Sequence, residues 1–133
     1  MLIQILRALG AVETQMEDAL EPLGLSLAKL KALSQLVEAG APMPLGTLAE
    51  RCACVRSNIT QLVDRMEAEK LVVRSDDPHD RRSVRAELTE AGRSRHAAGM
   101  EALRSAERDV IAPFQPQERE ELLRLLQVLA PRP

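Results

Sequence analysis

Apolar side chains recur every three or four residues along the first forty positions, which is the spacing of one helix face. The first run covers Leu2–Leu20 and stops before Pro22 and Gly24. A second run follows Ser26, whose hydroxyl is suited to an N-cap, and stops at Gly40. The pattern therefore predicts two helices joined by a short break.

Two further helices are predicted around a tight turn. Leu45–Arg51 has the pattern of a short helix, and the turn falls at 52–55. In the helix predicted for 56–69, four apolar residues occupy one face at positions i, i+3, i+4 and i+7: Ile59, Leu62, Val63 and Met66. This arrangement is typical of a helix–turn–helix.

The hydrophobic period then changes to two, which indicates strands. Residues 71–74 form one short β-rich run, and Val84, Ala86 and Leu88 alternate with charged residues in another. The polar segment 75–83 lies between them and predicts an exposed, charged hairpin tip. A single short strand is also predicted near Met43.

Helical patterns return after the hairpin. Thr89 is suited to cap a long helix that runs to about Ile111, and Pro113 ends it. Pro116 fits the first turn of a last helix, which continues to Leu129. The fold class is therefore mainly α (α+β): a winged helix–turn–helix with long N- and C-terminal helices.

The terminal helices carry more apolar surface than one core contact requires, which predicts a homodimer. The last helix alone contributes Leu122, Leu123, Leu125, Leu126, Val128 and Leu129. We expect one domain, 1–133, with a DNA-binding lobe at 26–89 and dimerisation helices at 1–22 and 90–130.

A helix–turn–helix followed by a hairpin suits duplex DNA, because the second helix can enter the major groove while the hairpin reaches the backbone or minor groove. The outward face of the second helix is polar. Its candidate DNA-binding residues are Arg56, Ser57, Asn58, Thr60, Gln61 and Arg65. Gln61 suits adenine, and Arg65 is better placed for phosphate. The opposing interpretation is an ordinary solvated helix face.

The hairpin contains the run Asp77-Pro78-His79-Asp80-Arg81-Arg82, which combines a turn signal with two adjacent guanidiniums. An arginine projecting from a loop can enter a narrow minor groove. Asp80 is expected to hold one of these arginines in place.

This run, together with the segment Leu-Thr-Glu-Ala-Gly at 88–92, resembles the MarR family (multiple antibiotic resistance regulators). The resemblance extends over essentially the whole chain. It implies that Asp80 acts with Arg82, which enters the minor groove, and that Arg81 contacts phosphate. It also implies a triangular homodimer, most commonly a repressor of transcription, with small phenolic or other amphipathic ligands bound by many members.

The sequence departs from the family pattern at two places. Cys52-Ala53-Cys54-Val55 stands where members commonly have an apolar-Gly-apolar-Ser run, so the usual hydroxyl cap of the second helix is missing. Lys70 replaces a common glycine before the hairpin. Neither change is expected to break the architecture.

Charge and composition narrow the function. The net charge is −2, but residues 51–95 hold ten basic and eight acidic side chains, against eight and twelve elsewhere. This modest excess predicts salt-sensitive binding with few phosphate contacts. Phe114 is the sole aromatic residue, which disfavours stacking on single strands.

The sequence lacks the signals of several other classes of protein. No apolar run is long enough to span a membrane and no cleavable leader is evident, so a cytoplasmic protein is expected. No catalytic, cofactor-binding or metal-ligand spacing is found, which predicts a protein that is not an enzyme. His79 is interpreted as a solvated residue or phosphate contact, and His96 as a helix-surface or dimer residue.

Two alternatives stay open. Cys52 and Cys54 are interpreted as buried thiols, but a redox-sensing regulator would use them if they were exposed and activated. A winged helix could also serve as a protein-interaction module without DNA binding, which the low net charge permits.

Overall fold

The computed structural model describes residues 1–130, so the last three residues of the predicted 1–133 domain lie outside it. The chain is mainly helical with one small sheet, as the sequence predicts. In chain order its elements are α1 (Leu2–Leu20), a 3-10 turn (Glu21–Leu23), α2 (Leu27–Ala39), β1 (Met43–Pro44), α3 (Leu45–Arg51), α4 (Arg56–Ala68), β2 (Val72–Asp77), β3 (Asp80–Leu88), α5 (Glu90–Ile111) and α6 (Pro116–Leu129).

The predicted helix ends are confirmed because local chemistry sets them. Ser26 Oγ accepts from the Lys29 backbone N–H at 3.1 Å and begins α2. Gly40 ends that helix in the left-handed conformation, at φ +61°. Thr89 Oγ1 accepts from the Gly92 N–H at 2.9 Å and begins α5.

The hydrophobic core lies inside the lobe formed by α2, α3, α4 and the sheet. Leu33, Leu48, Ile59, Met66 and Leu71 are fully buried there. Leu20 is the one buried residue of α1. The core therefore fixes the position of α4, while the outer parts of the terminal helices remain outside it.

The hairpin differs from its prediction. The sequence predicts that 75–83 is the hairpin tip, but the tip is shorter: β2 continues to Asp77, β3 begins at Asp80, and Pro78 with His79 form the turn. Backbone pairing sustains the strands beyond the core, with Ser75 opposite Arg85. A hydrophobic period of two cannot show this extension, because neither face of the outer hairpin is apolar.

The predicted alternation of apolar and charged residues along β3 is only partly reflected in which side chains are buried. Ala86 is fully buried, whereas Val84 is exposed. Val84 lies two residues nearer the hairpin tip, where the sheet has extended past the core. The three strands are antiparallel in the order β1-β3-β2, which leaves β2 with a free edge.

One junction joins the end of α4, the end of β3 and the start of α5. Thr89 N–H donates to the Leu71 carbonyl at 3.1 Å, and its hydroxyl lies 2.7 Å from the Lys70 carbonyl. Lys70, which stands where the family commonly has glycine, has φ +62°, in the left-handed region. Gly92 packs so closely here that an added Cβ would lie 2.1 Å from the Leu71 oxygen.

This contact predicts that Gly92→Ala lowers the free energy of unfolding by about 2–3 kcal/mol, because the new methyl group meets a backbone carbonyl that cannot turn aside. Urea denaturation measures the change. Gly46→Ala in α3 is the matched control, since its Cβ would come no closer than 4.0 Å to Arg56 Nη1. The control should be neutral or stabilising, and an equal loss in both variants would contradict the close-packing explanation.

Candidate nucleic-acid interface

Helix α4 presents one buried and one exposed face. Ile59, Val63 and Met66 are fully buried in the core. All six residues predicted to bind DNA on this helix are exposed: Arg56, Ser57, Asn58, Thr60, Gln61 and Arg65. The core therefore holds the helix so that its polar side faces outward.

The start of α4 lacks the usual side-chain cap. Val55 occupies the N-cap position with an extended backbone, and its apolar side chain cannot accept a hydrogen bond. The Arg56 and Ser57 amides consequently have no acceptor within residues 1–130. Free amides at a helix N-terminus favour an anion such as phosphate.

In the turn before α4, Ala53 stands where members of the family commonly have glycine. Ala53 has φ +52°, in the left-handed region where Gly is favoured. Cys54 N–H donates to the Ala49 carbonyl at 2.9 Å, which holds the turn closed. The sequence change therefore leaves the helix–turn–helix geometry in place.

The polar side chains of α4 differ in whether they already have a partner within residues 1–130. Thr60 Oγ1 donates to the Arg56 carbonyl at 3.0 Å, so a DNA contact that uses its hydroxyl as a donor would have to break this bond. The Arg56 guanidinium lies toward the start of α3, near Gly46. Gln61 makes no side-chain hydrogen bond to residues 1–130 and is free to contact a base.

At the hairpin tip Asp80 does not hold an arginine side chain, contrary to expectation. Its Oδ1 accepts from the Arg82 backbone N–H at 3.0 Å. The Asp80 carboxylate lies two residues before Arg82, close enough to accept from its backbone N–H. The longer Arg82 guanidinium stays exposed to solvent. Asp80 thereby sets the direction of the chain at Arg82.

Arg81 and Arg82 are both exposed. Over residues 1–130, neither guanidinium lies within ion-pair distance of a carboxylate. The hairpin thus carries two guanidiniums next to its tip that have no ion-pair partner within residues 1–130.

Sequence reasoning missed one residue of this surface. Arg74 on β2 forms ion pairs with Asp64 and Glu67 on α4. The partners lie seven and ten residues apart along the chain and meet only because the hairpin folds back onto the helix. No residue spacing within one element signals such a contact.

Of the two cysteines predicted to be buried thiols, Cys52 is buried and Cys54 is only half-buried. Burial raises the pKa of the Cys52 thiol; the neighbouring Cys54 adds to the rise, whereas Lys31 opposes it. Cys54 is half-buried and its Sγ donates to the Cys52 carbonyl at 3.5 Å. A raised pKa leaves less of the reactive thiolate, which argues against Cys52 as a redox sensor.

The histidines lie apart from each other. His79 is exposed in the hairpin turn, where its backbone N–H donates to Asp77 Oδ1 at 2.9 Å. His96, predicted to be a helix-surface or dimer residue, lies half-buried between α5 and α2, with Nε2 2.9 Å from Ser34 Oγ. Burial lowers the pKa of His96. Within residues 1–130 no group of metal-ligating side chains is assembled.

An open groove of about 500 Å³ lies between α1 and α5. Its lining combines small side chains with polar ones: Gln15, Asp18, Ala19, Ala102, Ser105, Ala106 and Asp109. The two carboxylates would favour a ligand with hydrogen-bond donors.

Among the helices of residues 1–130, none is long and apolar enough to cross a membrane.

The chain is similar to known proteins in both sequence and structure. The model of the MarR family matches residues 25–84. The uncharacterized HTH-type transcriptional regulator YcgE of Bacillus subtilis (strain 168) is 39% identical over 83 residues, which is 62% of this chain and 53% of that protein. The chain spans about half the length of the curated relatives it matches.

Solved structures match over much more of their length. A probable transcriptional regulator from Pseudomonas aeruginosa is 30% identical, with a TM-score of 0.81 over 96% of this chain and 95% of that one. A MarR family transcriptional regulator from Silicibacter pomeroyi is also 30% identical, with a TM-score of 0.66 over 95% and 84%. These similarities extend beyond the helix–turn–helix to the terminal helices.

Proposed function

Because the chain belongs to the MarR family of transcriptional regulators, we propose that it acts as a homodimer that binds an inverted-repeat operator in double-stranded DNA and represses transcription. It is thus a regulator and not an enzyme. Two relatives support the proposal by their names: the Bacillus subtilis repressor MdtR, 30% identical over 81 residues, and an Escherichia coli MarR variant of the same fold, 20% identical, complexed with operator DNA.

One observation carries the DNA-binding proposal: the exposed polar face of α4 lies beside a hairpin whose tip has two arginines without an ion-pair partner among residues 1–130. In this arrangement α4 enters the major groove, where Gln61 reaches base edges. Arg65 and the N-terminal cluster of Arg56, Ser57 and Asn58 contact phosphates. Lobe 26–89 is then the part that binds DNA.

In the hairpin, Arg82 enters the minor groove and Arg81 contacts phosphate. A narrow, A·T-rich minor groove has an enhanced negative potential that attracts a guanidinium. Asp80 contributes by fixing the backbone at Arg82, through the 3.0 Å hydrogen bond to its amide. The hairpin therefore adds shape recognition to the base contacts of α4.

The terminal segments 1–22 and 90–130 are proposed to form the dimer. Helix α6 scarcely touches the rest of the chain, yet Leu123, Leu125, Leu126, Val128 and Leu129 are exposed on it. The first half of α1 exposes a similar set: Leu2, Ile3, Ile5, Leu6 and Leu9. An apolar helix without a packing partner is stable in water only when another surface covers it, and a second copy supplies that surface.

The dimer predicts that the wild-type protein sediments at twice the chain mass at micromolar concentration. Leu126→Glu should lower the dimer affinity at least roughly tenfold, because a buried unpaired charge is costly. This residue is 52% exposed, so the lobe core does not depend on it. Glu120→Gln on the same helix is the control and should remain dimeric. A stable wild-type monomer would contradict the proposal.

The two parts of the DNA-binding surface should fail differently when altered. Gln61→Ala should relax discrimination at one base pair by about 1–3 kcal/mol, whereas Arg81→Ala should weaken binding to all sequences and flatten the salt dependence. Arg82→Ala should weaken binding and also remove any preference for A·T pairs flanking the half-site.

Binding isotherms on matched and flank-substituted duplexes at several salt concentrations measure these effects. Arg104→Ala is the control for lost charge, because Arg104 lies on α5, outside lobe 26–89, and is paired with Glu101 at 2.8 Å; sedimentation checks that this variant is still a dimer. Wild-type affinity in Arg82→Ala would show that the hairpin does not contact DNA. Salt-independent or absent duplex binding by the wild type would favour the protein-interaction alternative.

A small amphipathic ligand, phenolic or similar, is proposed to release the DNA. The groove between α1 and α5 supports this proposal, because it borders the long helices that connect the DNA-binding lobe to the dimer surface. A phenol hydroxyl could donate to Asp18 or Asp109. A regulator of the same fold, 24% identical, has been solved with 2,4-dichlorophenol bound.

A further inference from the structure

Arg74 is the most heavily bonded arginine on the proposed DNA-binding surface. Its Nη1 donates to Glu67 Oε1 at 3.2 Å, and its Nη2 contacts both Asp64 and the Thr60 carbonyl, the latter at 3.4 Å. All three acceptors belong to α4. The guanidinium therefore spans one side of the helix that is proposed to enter the major groove.

Glu67 also binds the backbone of Arg74. Its Oε2 accepts from the Arg74 N–H at 3.1 Å. Strand β2 is at the edge of the sheet, so no neighbouring strand takes this amide. One carboxylate thus fastens both the main chain and the side chain of the hairpin to α4, which sets the distance between the helix and the arginines near the hairpin tip.

The ion pairs of Arg74 also change the charge that α4 presents on its surface. The helix carries two basic residues, Arg56 and Arg65, and two acidic ones, Asp64 and Glu67. Asp64 lies on the same outward face as Gln61 and is 57% exposed, whereas the Arg74 side chain is 26% exposed. Without Arg74, a phosphate backbone approaching this face would meet two uncompensated carboxylates.

We propose that Arg74 is a positioning residue for DNA binding, which neutralises Asp64 and Glu67 on the DNA-facing side of α4 and fixes the hairpin against the helix. The inference rests on the proposed function. If Arg74 served only to stabilise the fold, the negative charges of Asp64 and Glu67 would have no effect on DNA affinity. The role of the carboxylates in DNA affinity therefore separates the two explanations.

The test measures duplex affinity for a charge-rescue series, using a sequence selected from random DNA and an unselected duplex. Arg74→Gln should weaken binding to both roughly tenfold at low ionic strength, because like charges then face each other. Adding Asp64→Asn to that variant should restore part of the affinity on both duplexes, since this repulsion does not depend on base sequence and Glu67 keeps its hydrogen bond to the Arg74 backbone N–H. Arg104→Gln, which sedimentation must show to be dimeric, is the matched control and should change affinity less than about twofold, because Arg104 lies outside lobe 26–89 and its exposed charge is screened.

Failure of Asp64→Asn to restore any affinity to a folded Arg74→Gln variant would overturn the proposal, and so would wild-type affinity in Arg74→Gln itself. If Arg74→Gln does not fold, Asp64→Asn in the presence of Arg74 decides the matter, because Glu67 still holds the hairpin. That variant should bind DNA more tightly than the wild type, and weaker binding would overturn the inference. Absence of duplex binding by the wild-type protein would instead refute the proposed function.

Discussion

The arrangement of the molecule depends on the close contact among Leu71, Thr89 and Gly92. Helix α4 ends at this point, the hairpin begins and ends there, and α5 starts from it. The Leu71 carbonyl accepts from the Thr89 N–H, and the missing side chain of Gly92 lets α5 approach that oxygen. The contact therefore fixes the orientation of α4 and the hairpin relative to the long helix that leads to the proposed dimer.

A second set of contacts, between Arg74 and the carboxylates of α4, relates the hairpin to the helix. The first junction acts at the base of the hairpin and the second about midway along β2. Together they leave α4 and the hairpin little freedom relative to each other, although the tip projects past the core. Such preorganisation lowers the entropy that would be lost on binding a duplex.

Local chemistry explains why much of the fold was predictable. Ser26, Gly40 and Thr89 each act within four residues of their own position, so their caps follow from sequence alone. The buried face of α4 likewise follows from helical periodicity. The exposed polar residues of that helix could be named for the same reason, because the positions that are not buried must face outward.

The predictions failed where contacts join distant parts of the chain. The hairpin extends through 75–83 by pairing between strands, which hydrophobic alternation does not report. His96 meets Ser34 across 62 positions, and Arg74 meets carboxylates on another element. Asp80 holds Arg82 through its backbone amide and not through its guanidinium, and local turn geometry decides between the two.

The central claim is that two copies of this surface, related by a two-fold axis, bind one duplex. Hydroxyl-radical footprinting of the wild-type protein on DNA selected from a random pool tests it most directly. The account predicts two protected half-sites in inverted orientation, with centres roughly 10 base pairs apart. Protection of a single asymmetric segment would contradict it.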